Sequence, residues 1–231
     1  MPLLSVVVPV YNEAATIKEV IDKINSVDID KEIVVIDDAS SDGTDKILRN
    51  IQCGNLKVIH HTSNRGKGAA VLTGLAHAVG EFVIIQDADL EYDPADYHKL
   101  IGAIKDGRGD IILGARFTEH YSGLLIPKLG NRFLSGLLNS LFKVKLNDCF
   151  SCYKLSRLEV IKSLNLEAQG FTIEIEIIAK ALKNKLRIVE VPISYRPRTY
   201  AEGKKIRWSD GMRAIGAIIR YRLVKENGKN C

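Results

Sequence analysis

Short apolar runs separated by polar turns dominate the first half of the chain. Ser5-Val6-Val7-Val8-Pro9-Val10 is continuously apolar after Ser5 rather than alternating, the pattern of a strand buried on both faces. Comparable runs predict strands at 32–36, 56–59, 81–86 and 110–114. Helical periodicity fills the gaps. Ile17, Val20, Ile21 and Ile24 share one face of a first helix, with Asn12 as its expected cap. A second helix contains Ile47, Leu48 and Ile51 and starts from Ser41 or Asp42; a third covers 66–79. A fourth runs from Asp93-Pro94 to about Lys105. The second half is less regular. It predicts helices over 129–142 and 171–182, an extended piece at 148–154, a strand at 187–194 and an amphipathic C-terminal helix over about 207–225. Strands alternating with helices at short intervals predict an α/β fold, a mostly parallel sheet with helices on both faces. With no repeat or linker in view, residues 1–231 read as a single domain with a core over about 3–200.

Composition leaves that picture standing. Hydrophobic residues make up 46% and charged residues 26%, so a chain of this length can bury a substantial core. No basic segment precedes a long apolar run near Met1, and no stretch reaches the roughly 18 uninterrupted apolar residues of a spanning helix. The expectation is a cytoplasmic protein. The net charge of +5 is uneven: residues 196–222 hold eight Lys or Arg against two acids. Such a segment suits phosphate or an anionic membrane surface. Cys149-Phe150-Ser151-Cys152 matches C-x-x-C, but two further zinc ligands are not apparent nearby and the motif lies far from an early strand.

The densest chemistry follows the fourth predicted strand. The run Phe82 to Ile85 stops in acid, and Asp87, Asp89 and Glu91 fall within five residues. At strand spacing these three would share one side. They offer hard oxygen ligands to Mg²⁺ or Mn²⁺ at a strand's carboxyl end, where open α/β sheets bind ligands. Familiar phosphate loops are missing. Val8-Pro9-Val10-Tyr11-Asn12-Glu13 has no glycine, and Gly66-Lys67-Gly68 lacks the Ser or Thr of a P-loop. Acidic strand ends would then reach phosphate through a metal.

Taken in order, Val8-Pro9-Val10-Tyr11-Asn12-Glu13, Asp37-Asp38-x-Ser40-x-Asp42-Gly43-Thr44, Asn64-x-Gly66-Lys67-Gly68 and Asp87-Ala88-Asp89 resemble the inverting family 2 glycosyltransferases. Gly114-Ala115-Arg116-Phe117, Asn131-Arg132, Asp148-x-x-Ser151, Arg196-x-Arg198 and Glu202-Gly203-Lys204-Lys205 are similar to the dolichol-phosphate mannose synthase and polyprenyl-phosphate glucosyltransferase group. Two departures stand out: Glu91 replaces a common glutamine, and Cys152 a common glycine.

The resemblance implies the A-type nucleotide-diphospho-sugar transferase fold. It also implies a nucleotide-sugar site made of Pro9, Tyr11, Glu13, Asp38, Lys67, Asp87, Ala88, Arg198 and Lys205. Asp87, Asp89 and Glu91 would hold Mg²⁺ or Mn²⁺, with Asp89 the main ligand. The implied reaction moves a hexose from a donor of the GDP-mannose or UDP-glucose type to a polyprenyl or dolichyl phosphate. An ionised phosphate needs positioning more than deprotonation, so Arg116 and Arg132 are its expected receptors, because a guanidinium binds phosphate bidentately. Asp148 would orient the acceptor or an arginine. The alternative is a soluble or glycan hydroxyl acceptor; that reaction needs a base, and Asp148 is where to look for it. A non-catalytic nucleotide-sugar module is the third reading, disfavoured by the intact acidic motif. No nucleic acid partner is expected. Contact with the cytoplasmic membrane face, or with a membrane partner, is expected through the apolar helix at 129–142 and the basic C-terminal helix.

Overall fold

The computed structural model describes residues 1–116, 125–198 and 208–224, without the side chains of 125–127 and 208–210. Seven strands form one sheet: β1 (Leu4–Val10), β2 (Lys31–Asp37), β3 (Leu56–His60), β4 (Phe82–Ile85), β5 (Ile111–Ala115), β6 (Lys154–Arg157) and β7 (Ile188–Pro192). Their order is β3-β2-β1-β4-β6-β5-β7. All neighbours run parallel except β6, which is antiparallel to both β4 and β5. Val6, Val7 and Val8 are all fully buried, so both faces of β1 are covered, as its unbroken apolar run requires.

The helices are α1 (Ile17–Ser26), α2 (Thr44–Asn50), α3 (Lys67–His77), α4 (Tyr97–Lys105), α5 (Leu125–Phe142), α6 (Leu158–Ser163), α7 (Ile173–Lys183) and α8 (Trp208–Leu223). A 3-10 turn, Pro94–Asp96, leads into α4, with the Asp93 carboxylate accepting from Ala95 N–H. The chain leaves β1 to build β2 and β3 on one side, then returns to place β4 on the other. That reversal opens a crevice beyond the carboxyl ends of β1 and β4.

Several expectations need correction. β4 ends at Ile85, and Asp87 to Leu90 form a turn in which Leu90 takes φ +63°. The three acids therefore do not alternate along a strand. Asn12 does not cap α1; it adopts φ +54° and its Oδ1 accepts from Ser41 N–H at 2.8 Å, so the helix waits until Ile17. The extended piece expected at 148–154 is instead a loop leading into β6. That strand was hidden by Lys154 and Ser156, both buried polar residues in the middle of the sheet. No helix among the described residues is long and apolar enough to cross a membrane.

Candidate active site

Among the described residues, Glu13, Lys67, Asp87, Asp89 and Arg198 meet at the β1/β4 crevice. Pro9 is half-buried near the end of β1, and Tyr11 follows it, 41% exposed. Thr16, missed in the sequence, donates through Oγ1 to the Ala88 carbonyl at 2.6 Å and ties the start of α1 to the acidic turn. Below the turn, Gln86 is fully buried. Its Oε1 accepts from the hydroxyls of Tyr97 and Tyr153 at 2.7 and 2.6 Å, and its amide donates to the Asp87 carbonyl at 2.8 Å. The backbone carrying the acids is thus held from both sides.

Each carboxylate has a distinct partner. Asp87 pairs with Lys67 Nζ at 2.7 Å, and Lys67 also reaches Glu174 at 3.0 Å. Burial pushes the Asp87 carboxyl up, but Lys67 outweighs it and leaves the group below the usual carboxylate range. Glu174 in turn pairs with the fully buried Lys154. Lys67, expected to reach a phosphate, is therefore the counter-ion of Asp87. Asp89 Oδ2 pairs with Arg198 at 3.0 Å; Arg198 also meets Glu13 at 3.1 Å and Glu91 at 4.0 Å. One guanidinium faces three carboxylates. Burial, then Asp87 and Glu91 beside it, push the Asp89 carboxyl up to about 7, and Arg198 only partly offsets them.

Glu91, expected as a third metal ligand, serves residues 195–198. Its Oε2 accepts from the Tyr195 hydroxyl at 2.7 Å and its Oε1 from Arg198 N–H at 2.8 Å, while its carbonyl accepts from Arg196 N–H. No group of three His, Cys, Asp or Glu side chains converges in metal-ligating geometry among the described residues. The donor set instead fits a cation shared with a ligand's phosphates: hard oxygens, excess negative charge, and one or two carboxylates rather than a cage. Asp89 is best placed to hold it, with Asp87 beside it.

Asp38 is buried and spent on the backbone. It accepts from Arg65 N–H at 2.9 Å, Gly66 N–H at 2.7 Å and the ring of His61 at 2.7 Å. These contacts fix the Asp38 carboxylate at the end of β2, where the resemblance implies a nucleoside contact. The start of α3 is engaged as well, because Ala69 N–H donates to the Gln169 carbonyl.

The acceptor side lies at the end of β5. Arg116 makes a two-pronged contact with Asp148, Nε to Oδ2 and Nη2 to Oδ1, each at 2.8 Å. Asp148 is fully buried and also accepts from Arg116 N–H. The guanidinium sits 5.1 Å from the centre of the Tyr195 ring. Arg132 is on α5, exposed, with no carboxylate in salt-bridge range among the described residues. Lys205 and its neighbours 202–204, like Phe117, lie outside the described residues. Cys149 and Cys152 are free and buried, and burial pushes the Cys149 thiol up to about 12, which fits packing rather than redox chemistry.

The family model for glycosyl transferase family 2 matches residues 5–164. The chain belongs to glycosyltransferase family 2. This family 2 chain is 32% identical to a dolichol-phosphate mannosyltransferase of Pyrococcus furiosus, over 98% of its own length and 65% of that protein's. It therefore spans just under two thirds of that relative. It is 31% identical to a UDP-N-acetylglucosamine–dolichyl-phosphate N-acetylglucosaminyltransferase of Methanococcus voltae, over 96% of this chain and 95% of the relative. Among solved structures, glucosyl-3-phosphoglycerate synthase from Mycobacterium tuberculosis superposes with a TM-score of 0.76 at 24% identity, covering 98% of this chain and 82% of that one. This likeness establishes the A-type glycosyltransferase fold. A second structure of that synthase, at TM-score 0.76 and 22% identity over 98% of this chain and 81% of that one, contains Mn²⁺ and uridine diphosphate.

Proposed function

We propose that this family 2 glycosyltransferase moves a hexose from a nucleotide-diphospho-sugar to a polyprenyl or dolichyl phosphate. The observation that carries the choice of acceptor is the Arg116–Asp148 pair. A hydroxyl acceptor would need a base, and Asp148 is the residue to look to; yet both its oxygens are engaged by one guanidinium and it is fully buried. A phosphate acceptor is already ionised near neutral pH and needs no such base. The names of the Pyrococcus and Methanococcus relatives support the same reading.

In this reading an acceptor phosphate oxygen attacks the anomeric carbon. The bond from that carbon to the diphosphate oxygen breaks with inversion, and nucleoside diphosphate leaves. Tyr11 and Glu13 border the donor, and Lys67 keeps Asp87 ionised beside it. Asp89 and Asp87 would hold a divalent cation, which would supply charge neutralisation for the leaving diphosphate. Arg198, released from Asp89 and Glu13, is placed to take up a donor phosphate. Arg116 is presented rigidly by Asp148 and Tyr195, and Arg132 offers a second cation for the acceptor. The test incubates labelled GDP-mannose, UDP-glucose and UDP-N-acetylglucosamine separately with polyprenyl phosphate and Mn²⁺, then extracts into organic solvent. Label in the organic phase is the expected result. Label transferred only to soluble acceptors would refute the lipid assignment.

A lipid acceptor also calls for contact with a membrane. α5 and α8 pack on one another. Their outward sides expose Leu129 (65%), Phe133 (64%), Met212 (59%) and Leu223 (74%), beside Arg132, Arg213, Arg220 and Arg222. Apolar and basic groups together suit the headgroup boundary. Not all of the apolar stretch 129–142 faces outward: Leu137 and Leu141 are half-buried against the core, as Ile218 of α8 is fully buried. We expect salt-sensitive flotation with anionic vesicles, weakened by Arg220→Glu with Arg222→Glu. Leu129→Asp with Phe133→Asp should weaken it further while leaving the circular dichroism spectrum intact. Unchanged flotation in both folded pairs would assign the membrane contact to a partner.

A further inference from the structure

We propose that Glu176 is a positioning residue for the nucleotide side of the site, acting through the backbone of residues 167–169 on Lys67 and Asp87. Glu176 lies on α7 and is fully buried, far down from the crevice in sequence and in no contact with the acidic turn that the structure records. A buried carboxylate persists only where donors surround it. Here Glu167 N–H donates to both of its oxygens at 3.0 Å, Ala168 N–H donates at 2.7 Å, and Lys180 pairs with it at 2.9 Å. Burial, and the Glu176 carboxylate beside it, push the Tyr221 hydroxyl of α8 up to about 12. This one side chain therefore pins the turn that precedes α7.

That turn is the abutment for the start of α3. Ala69 N–H donates to the Gln169 carbonyl at 3.1 Å. Gly66 takes φ +88°, and a Cβ there would come within 2.6 Å of the same oxygen; a Cβ on Gly68 would overlap the Ala168 carbonyl. Only glycines allow so close an approach, and close-packed contacts transmit small shifts. Lys67 lies between these two glycines and carries the 2.7 Å pair with Asp87. Loosening the 167–169 backbone lets the first turn of α3 drift, and Asp87 loses its fixed partner. Among the described residues, the hydrogen bonds and ion pairs of this route are made by residues other than Arg116 and Arg132.

The inference rests on the reading of Asp87 as part of the nucleotide site. The test measures calorimetric binding of UDP and of GDP, each with Mn²⁺, to wild type, Glu176→Gln and Tyr221→Phe, together with melting temperatures and the acceptor KM. Glutamine removes the charge and turns an amide toward Lys180. Weakening of about tenfold is expected for Glu176→Gln, the scale seen when an outer partner of a ligand-binding group is removed. Tyr221→Phe removes the one hydroxyl beside the Glu176 carboxylate, and about threefold is expected. The acceptor KM should stay at its wild-type value in both. A merely structural role would lower the melting temperature and the active fraction but leave the nucleotide Kd of the folded protein unchanged, and that result overturns the proposal. Should Glu176→Gln fail to fold, wild-type affinity in Tyr221→Phe overturns it alone. Wild type binding neither nucleotide would overturn the nucleotide-site reading together with this one.

Discussion

Asp89→Ala is expected to lower sugar transfer by at least about a thousandfold, since a cation at the leaving diphosphate supplies several kcal/mol and each 1.36 kcal/mol is tenfold in rate. The protein should remain folded. Arg198 keeps Glu13 and Glu91 as partners, and the Asp89 side chain is 14% exposed rather than part of the core. Asp89 is singled out by what surrounds its neighbours. Asp87 is neutralised by Lys67, and the Glu91 oxygens are taken by Tyr195 and by the Arg198 backbone. Asp89 pairs with Arg198 at 3.0 Å, yet burial and the neighbouring Asp87 and Glu91 still push its carboxyl up to about 7. That is a group whose ionised form gains most from a divalent cation. Excess chelator should silence the wild type, and added Mn²⁺ or Mg²⁺ should restore it. Undiminished transfer in chelator, measured with the organic-extraction assay, would remove the metal from the mechanism.

How much of this was legible in the chain varies with the physics of each part. β1, β2 and β4 were readable because strands covered on both faces are apolar through their centres, and β5 followed the same rule, whereas the edge strand β3 was readable only as a short apolar run between turns and none of its residues is fully buried. β6 was not, because its first residue, the buried Lys154, is neutralised by Glu174, 20 residues away, and no local pattern signals that partnership. The acidic turn was legible as chemistry but not as geometry. Alternation along a strand was the natural expectation for Asp87, Asp89 and Glu91, and the left-handed Leu90 that breaks it is a residue type that rarely adopts such a backbone. Asp38 shows what the chain alone does not signal: the His61 ring, 23 residues on, and the Arg65 and Gly66 amides all donate to it. Long-range partners decided most roles: Glu91 holds Tyr195, 104 residues on, and Thr16 holds Ala88, 72 residues on.

The second large effect concerns the acceptor cations, which the structure separates by burial. Removing the Arg116 side chain would leave Asp148 buried without its counter-ion, and breaking a buried pair in that way costs about 3–5 kcal/mol. Arg116→Ala is therefore expected to lose the fold, or most of it, and would report little about the acceptor. Arg116→Lys is the informative change. It keeps the charge but gives up the fork that grips both Asp148 oxygens and the flat face laid on Tyr195. We expect a lower melting temperature and an acceptor KM raised by about tenfold, with the donor KM within about twofold of wild type, because one bidentate charged contact is worth roughly 1.5–3 kcal/mol. Arg132→Ala should behave differently. That side chain is exposed on α5 and pairs with no carboxylate among the described residues, so the melting temperature should not move. If Arg132 meets the lipid phosphate, its acceptor KM should rise as well. Paired melting curves and initial rates, with donor and acceptor varied in turn, separate the two. A rise in donor KM alone, in either variant, would place that arginine on the nucleotide and leave the acceptor phosphate to be held by other cations.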